Sequence, residues 1–401
     1  MEGNIENFDI TIIGASIAGN YLCYLLSRTN RKIVVIEDHD EIGLPLQCAG
    51  IVSQKITDLI DFPPEIILNR AYHAKIVAPN KQFITISGNE RPYIIDRIAL
   101  DQFFYDKVKD TEHIQYYLGE RFRTFDYVKE GKEKLLLVKT SKREIKTKIL
   151  VGCDGPLSAV ASACKRKNKT ISATQIRVLG DFKENEAAMY FNPKWKELFG
   201  WIVPEGQKIF RIGLACSNNL TQNFHLFLKQ LKVDFDEKIN QQGGLIPFDI
   251  NKKQAFNNIL LLGDSACHVK ATTGGGIVML LTAAKFAYNC IQRCFQNDDF
   301  SRRIIKKYYE NPCLLSIGRE LKIHYLIRAV LTRFTNKDFV ELFKIVKSSK
   351  VERLINIYGD MDFPKTFIFK ILRNPKFFPF LLKLILRNPQ LIITVLKILI
   401  K

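Results

Sequence analysis

The sequence predicts an α/β nucleotide-binding domain, split by an antiparallel β-rich domain and continued by a helical C-terminal region. Three observations carry this prediction. Phe8–Ile13 (FDITII) is a short apolar, β-branched run ending at Gly14, residues 17–28 have helical spacing, and residues 32–37 (KIVVIE) are a second apolar run ending in an acid. Strand, glycine turn, helix, strand and acid make a βαβ unit at the start of the chain. Second, residues 172–255 read as strands punctuated by Trp201, Pro204 and Pro247. Third, α/β character then returns, with a buried strand at 259–263 (ILLLG) and a strongly apolar helix over 277–295.

Between these landmarks, residues 75–95 alternate loosely and predict antiparallel strands. Residues 98–109 predict a helix, and 134–151 a hairpin leading into a strand at 148–152. Everything after about residue 300 reads as helix broken by prolines. The expected boundaries are therefore 1–165 for the first part of the nucleotide-binding domain, with a strand insertion at about 65–95. The β-rich domain follows at 166–256, the return of the first domain at 257–298, and the helical region at 299–401.

Composition narrows the function classes. The 401 residues are 47% hydrophobic and 25% charged, which excludes disorder, collagen and small disulfide scaffolds. Sixty Lys and Arg against 41 Asp and Glu give a net charge of +19, which favours an anionic partner such as a phosphate-bearing cofactor or an anionic lipid. The nine cysteines form no paired CxxC set, so no metal site is expected and reduced thiols point to a cytoplasmic protein. The N-terminus carries acid and no apolar signal core, and no run of about 18 apolar residues suggests a membrane span. The basic run Lys165–Lys169 is short and lacks interleaved aromatics, so it reads as a solvated loop or a lipid-headgroup contact, and no nucleic-acid partner is expected.

Several motifs carry chemistry. The first βα turn is Gly14-Ala15-Ser16-Ile17-Ala18-Gly19. A first glycine allows the tight turn and a last one lets helix and strand pack closely; Ser16 stands where a middle glycine would let the backbone approach a pyrophosphate. Glu37, 23 residues on, is placed to accept from a ribose hydroxyl. Residues 152–160 give a second strand-to-helix turn containing Asp154, and Asp264 follows the strand at 259–263. Thr273 to Gly276 open the long helix, whose bare N–H groups and positive end favour negative charge on a ligand. In Asp96-Arg97-x-x-Leu100-Asp101, Arg97 heads a helix and suits a phosphate.

This ordered set of motifs resembles the FAD-dependent proteins that fold like p-hydroxybenzoate hydroxylase, over about residues 8–295. Pro45-Leu46-Gln47-Cys48-Ala49-Gly50 and Phe199-Gly200-Trp201-Ile202-Val203-Pro204 are further similar to the PxxC(G/A)G and YxWxFP segments of the geranylgeranyl reductase family. The resemblance implies FAD. Gly14, Ala15, Ser16, Gly19 and Glu37 would hold its ADP half, and Arg97 would face the phosphate and ribityl region. Asp154 would join the cofactor site, and Asp264 would bind the ribityl or pyrophosphate. Gly274, Gly275, Gly276 and Ile277 would lie beside the flavin pyrimidine. Cys48 and Ala49 would sit near the isoalloxazine, and Trp201 with Pro204 would line the prenyl pocket. Ser16, Ile17, Ala271, Phe199 and Val203 depart from the family pattern.

The implied activity is saturation of double bonds in geranylgeranyl chains, on archaeal-type ether lipids. Such a reduction needs a hydride on one carbon and a proton on the other. Cys48 and His268 are the candidate proton donors; the alternatives are a packed cysteine and a loop histidine bonded to backbone. The external reductant stays open between NAD(P)H and ferredoxin. Two other readings are an FAD-dependent aromatic hydroxylase, and a peripheral membrane protein that keeps the fold without the activity. Residues 361–401 carry eight Lys and Arg against one acid, Asp362. Prolines 375, 379 and 389 are expected to cut this tail into short apolar helices with a basic stripe, as with Lys383 and Arg387. Such helices suit the cytoplasmic face of an anionic membrane, or a cap packed on the protein.

Overall fold

The computed structural model describes residues 5–231, 237–250, 253–348 and 351–393. The opening βαβ unit forms as expected, with strand Glu6–Ile13, helix Ile17–Leu26 and strand Ile33–Ile36. These strands belong to an eight-stranded sheet. Six run in the order Ala255–Phe256, Ile259–Leu261, Glu144–Gly152, Glu6–Ile13, Ile33–Ile36 and Ile114–Tyr117, and the hairpin Phe122–Glu130/Glu133–Thr140 pairs with Glu144–Gly152. The last five of the six are parallel to their neighbours, and Leu261, Gly152, Ile13, Ile36 and Tyr117 share one rung. The first strand is apolar at consecutive positions because both faces are covered. Ile10 and Ile12 pack under helices Ile17–Leu26 and Ile277–Asn297, while Phe8 and Ile13 pack on the other side with Leu150 and Ile259.

The second sheet has seven strands, in the order Glu237–Pro247, Thr170–Leu179, Ile209–Cys216, Gly200–Gly206, Glu186–Tyr190, His73–Val77 and Phe83–Ile86. The strands expected at 65–95 thus divide. His73–Val77 and Phe83–Ile86 extend the second sheet, whereas Tyr93–Ile95 pairs with Ile51–Val52 and Ile67–Arg70 in a small third one. Sequence distance hid this, because His73–Val77 joins Glu186–Tyr190 by a parallel, long-range pairing. One helix inside the β-rich stretch, Leu220–Leu231, was not expected. It covers the outer face of this sheet with Phe224 and Phe227, both buried.

After residue 300 the described residues are helical, as the sequence predicts. Pro379, however, does not cut a helix. It lies in the first turn of Phe377–Arg387, where its missing N–H would have had no partner. That helix buries Phe377, Phe380 and Leu384 against Phe334, Phe339 and Phe343. The basic stripe is also placed differently from the sequence expectation. Lys383 pairs with Glu341 at 2.7 Å and Arg387 pairs with Asp338, so both cations turn toward the helix Asn336–Ser348. The last part of the tail, 394–401, lies outside the described residues.

This packing makes the tail part of the cooperative fold. Phe380→Ala removes a ring that meets Phe334 edge-on at 5.6 Å between centroids and should cost about 3–5 kcal/mol. Urea denaturation of the full chain measures it, and a loss under about 1 kcal/mol would mean that the helix does not dock.

Candidate active site

The shared rung brings the sequence motifs to one edge of the sheet. Gly14 follows Ile13 with φ +99°, a conformation open to glycine, and a Cβ there would come within 2.5 Å of the Cys153 carbonyl oxygen. Two βα turns therefore touch through bare backbone. Glu37 Oε2 accepts from the Ala15 N–H at 2.7 Å, so the acid at the end of the second strand reaches the glycine turn. Ser16 caps its helix by position only and donates to Asp101 Oδ2 at 3.2 Å. Arg97 is buried and forms a two-pronged bond with Asp101 at 3.0 and 3.2 Å, and its guanidinium also lies against the Cys48 thiol.

Asp264 leaves the strand Ile259–Leu261 at the same edge, with Oδ1 3.7 Å from where a Cβ on Gly276 would sit. Burial pushes its carboxyl up to about 6, against the opposing pull of Arg97. Gly274 and Gly275 face the neighbouring cavity, and Gly276 caps the 21-residue helix Ile277–Asn297 at Ile277. A buried carboxyl, a guanidinium, a glycine turn and a helix N-terminus converge here. This donor and acceptor set fits a dinucleotide such as FAD: the Gly14 turn and the start of helix Ile277–Asn297 present bare backbone to a pyrophosphate, Glu37 offers a ribose the lone pairs left by the Ala15 N–H and by His39, and Asp264 has an acceptor for further hydroxyls.

Two expected residues take other roles. Asp154 spends both carboxylate oxygens on the next helix, accepting from Ser158 Oγ at 2.5 Å and from the Val160 N–H at 2.9 Å. Its backbone, not its side chain, abuts Gly14. His268 is fully buried and lies outside the cavity lining. Its Nδ1 accepts from the Gly263 N–H at 3.2 Å and its Nε2 meets Gln254 Oε1 at 3.1 Å. Desolvation lowers it to about 3, so the ring is neutral and braces the Asp264 turn rather than carrying a proton.

A cavity of about 540 Å³ opens beside this edge, within the range of ligand sites. Cys48 and Ala49 form one end with Thr272–Gly275; Phe191, Phe199 and Trp201 supply aromatic wall. Trp201 and Val203 face the cavity because they alternate along their strand. Pro204 does not line it, since the same alternation turns Ile202 and Pro204 to the other face. The indole lies flat on Gly213 of the neighbouring strand, where a Cβ would come within 2.2 Å of the ring. Its N–H donates to Gln175 at 2.8 Å, and Gln175 in turn donates to Gln242 and, at 3.4 Å, to the Cys48 carbonyl. Arg211, buried and paired with Glu205, donates to the Ala49 carbonyl at 2.9 Å and holds the same loop.

Another wall comes from the C-terminal region, through Ile355, Met361, Pro364, Phe367 and Ile368. A buried polar knot fixes it. Asp362 pairs with Lys270 and accepts from Ser53 Oγ, and its carbonyl meets His324 Nε2 at 3.0 Å, while His324 Nδ1 meets Thr272 Oγ1. Nearby, Lys55 pairs with Asp360 at 2.8 Å. No sequence motif marks Gln175, Arg211, Lys270 or Asp362. A charged residue interrupting an apolar strand, as Arg211 does in IFRIGLAC, was the available signal for one of them.

Two measurements test this geometry. A carboxyl raised to about 6 binds its proton more tightly folded than unfolded, so the cofactor-free protein loses stability as pH rises from about 4 to about 6. Asp264→Asn should abolish that fall and stabilise the cofactor-free protein at pH 7 by up to about 3 kcal/mol; an unchanged pH profile would contradict it. Glu37→Gln should weaken FAD by about tenfold to a hundredfold in a fluorescence titration, the worth of a hydrogen bond to a charged acceptor.

Comparison with known proteins agrees with this geometry. The signature of NAD(P)-binding Rossmann-like domains matches residues 12–74. An uncharacterized protein of Methanocaldococcus jannaschii is 25% identical, over 92% of this chain and 96% of its own. Digeranylgeranylglycerophospholipid reductase 3 of Methanosphaera stadtmanae is 24% identical, over 88% and 94%. A crystal structure of a geranylgeranyl bacteriochlorophyll reductase-like protein from Thermoplasma acidophilum superposes with a TM-score of 0.80 at 17% identity, covering 97% of this chain and all of that one. By sequence, the chain is thus similar at 23–24% identity to proteins named digeranylgeranylglycerophospholipid reductase, and by fold to the geranylgeranyl bacteriochlorophyll reductase-like protein.

Proposed function

We propose that this protein is an FAD-dependent reductase that saturates C=C bonds of geranylgeranyl chains, on archaeal-type ether phospholipids. The observation that carries the proposal is the cavity. Its lining is mostly apolar and aromatic, and it meets the cofactor edge at the Cys48 loop and at Thr272–Gly275. A prenyl chain is apolar along its length, so it binds by burial, and its double bonds are presented one at a time to a fixed reacting edge.

Bound reduced FAD supplies the hydride for one alkene carbon. The chain supplies position and the proton. Trp201, held by Gln175 and seated on Gly213, gives the prenyl chain a rigid wall. The N-terminal end of helix Ile277–Asn297 gives positive potential at the reacting edge. Cys48 carries the proton for the second carbon from a half-buried position. The sulfur it leaves accepts from the Gly50 N–H at 3.3 Å and faces the Arg97 guanidinium, which disperse the charge. The same reading has the protein working peripherally at the cytoplasmic face of an anionic membrane, with electrons from NAD(P)H or a ferredoxin.

The test is anaerobic. The purified holoprotein is reduced with dithionite and given digeranylgeranylglyceryl phospholipid, while lipid mass and flavin absorbance are followed together. Stepwise gain of two hydrogens per bond with flavin reoxidation is expected. Cys48→Ser should slow the gain about a hundredfold with bound flavin unchanged. Unaltered lipid, or a hydroxylated product once oxygen is admitted with NAD(P)H, would overturn the reading in favour of a monooxygenase.

A further inference from the structure

The C-terminal helices leave an apolar face uncovered. Seventeen large apolar side chains are exposed among the described residues, and seven of them fall within residues 369–393: Phe369, Leu372, Phe378, Leu382, Leu386, Ile392 and Ile393. The others are scattered along the chain. Helix Phe377–Arg387 shows the reason most clearly. Phe377, Phe380 and Leu384 fill the core beneath it, yet Phe378, Leu382 and Leu386, spaced four apart, form a second apolar stripe. Leu386 is 73% exposed and Phe378 68%. A helix apolar on both sides is normally buried on both.

Charge says what covers it. Lys370, Arg373 and Lys376 are interleaved in sequence with Phe369, Leu372 and Phe378. No acid follows Asp362, and Asp362 itself is taken by Lys270. Apolar side chains between cations match the boundary between acyl chains and anionic headgroups. The place in the fold agrees. Helix Lys365–Leu372 presents Phe367 and Ile368 to the cavity, and Phe369 and Leu372 to the outside.

We propose that helices Lys365–Leu372 and Phe377–Arg387, with Ile392 and Ile393, dock the protein on an anionic lipid bilayer, and that the first of them separates the acyl layer from the cavity. A prenyl chain then passes from membrane to active site across one helix, without crossing water. What travels rests on the prenyl-lipid reading above; whether the face binds lipid does not.

The experiment uses the full-length holoprotein in flotation with vesicles of phosphatidylglycerol or of phosphatidylcholine. Binding to phosphatidylglycerol, weakened by salt, is expected. Leu386→Glu should reduce it about tenfold or more, with melting temperature, bound flavin and reduction of detergent-dispersed lipid unchanged. Phe378→Glu, on the same stripe, should do the same if the first variant fails to fold. Equal vesicle binding by both variants and wild type overturns the proposal. So does a wild-type dimer in sedimentation velocity that Leu386→Glu splits, with no vesicle binding. Loss of vesicle binding by the variants while no lipid is reduced by any form supports the docking face and removes the reductase reading instead.

Discussion

Five parallel strands ending on a single rung decide where the chemistry is. Leu261, Gly152, Ile13, Ile36 and Tyr117 are consecutive partners across the sheet, so the residues after them leave at one edge. Strands lie about 4.8 Å apart, which brings the Gly14 turn, Glu37 and the Asp264 turn within about 10–15 Å although they are far apart in sequence. Register enforces this. A slip of one residue would exchange Ile10 and Ile12 with Thr11 and Ile13 between the two covered faces and break the packing on both. The hydrophobic pattern of the strands therefore fixes the position of groups that are themselves polar.

Much of this was legible, because the signals are local. A β-branched run ending at glycine and an acid at the end of the next run need only a few residues each, and their strand, helix and strand formed as expected. The motif residues Gly14, Ala15, Glu37, Arg97 and Asp264 gather at one edge, and Cys48, Trp201 and Gly274 line the adjoining cavity. Pro204 and His268 show where local reading failed. Pro204 shares a motif with Trp201 but the pleat turns it away, and His268 shares a loop with the cofactor turn but is sealed beneath it. Lys383 and Arg387 show a different failure. Spacing puts two cations on one stripe, but only the fold reveals Glu341 and Asp338 beside them.

The least legible part is the wall made by residues 355–368. It is joined to the cofactor side by polar contacts between residues far apart in sequence: Lys270 with Asp362, Ser53 with Asp362, and Lys55 with Asp360. Buried ion pairs such as Lys270 with Asp362 add little net stability, because desolvation offsets most of the attraction. Their geometry is what they contribute. Asp362 has specific partners on two different loops, so the wall has one seat, and that seat is adjacent to Thr272–Gly275. The same residues that shape the apolar cavity are thus registered to the loop at the cofactor edge.

The cavity draws its lining from residue 47 to residue 368. A ribosome making this chain completes the glycine turn within the first twenty residues and the central parallel strands by residue 261. The apolar pocket acquires the wall of residues 355–368 only after about a further hundred. Domains fold as their segments emerge, so the nascent protein assembles its nucleotide edge well before it can enclose an apolar chain. Order of synthesis thereby matches order of assembly: cofactor edge first, and a closed apolar cavity only once residues 355–368 have emerged.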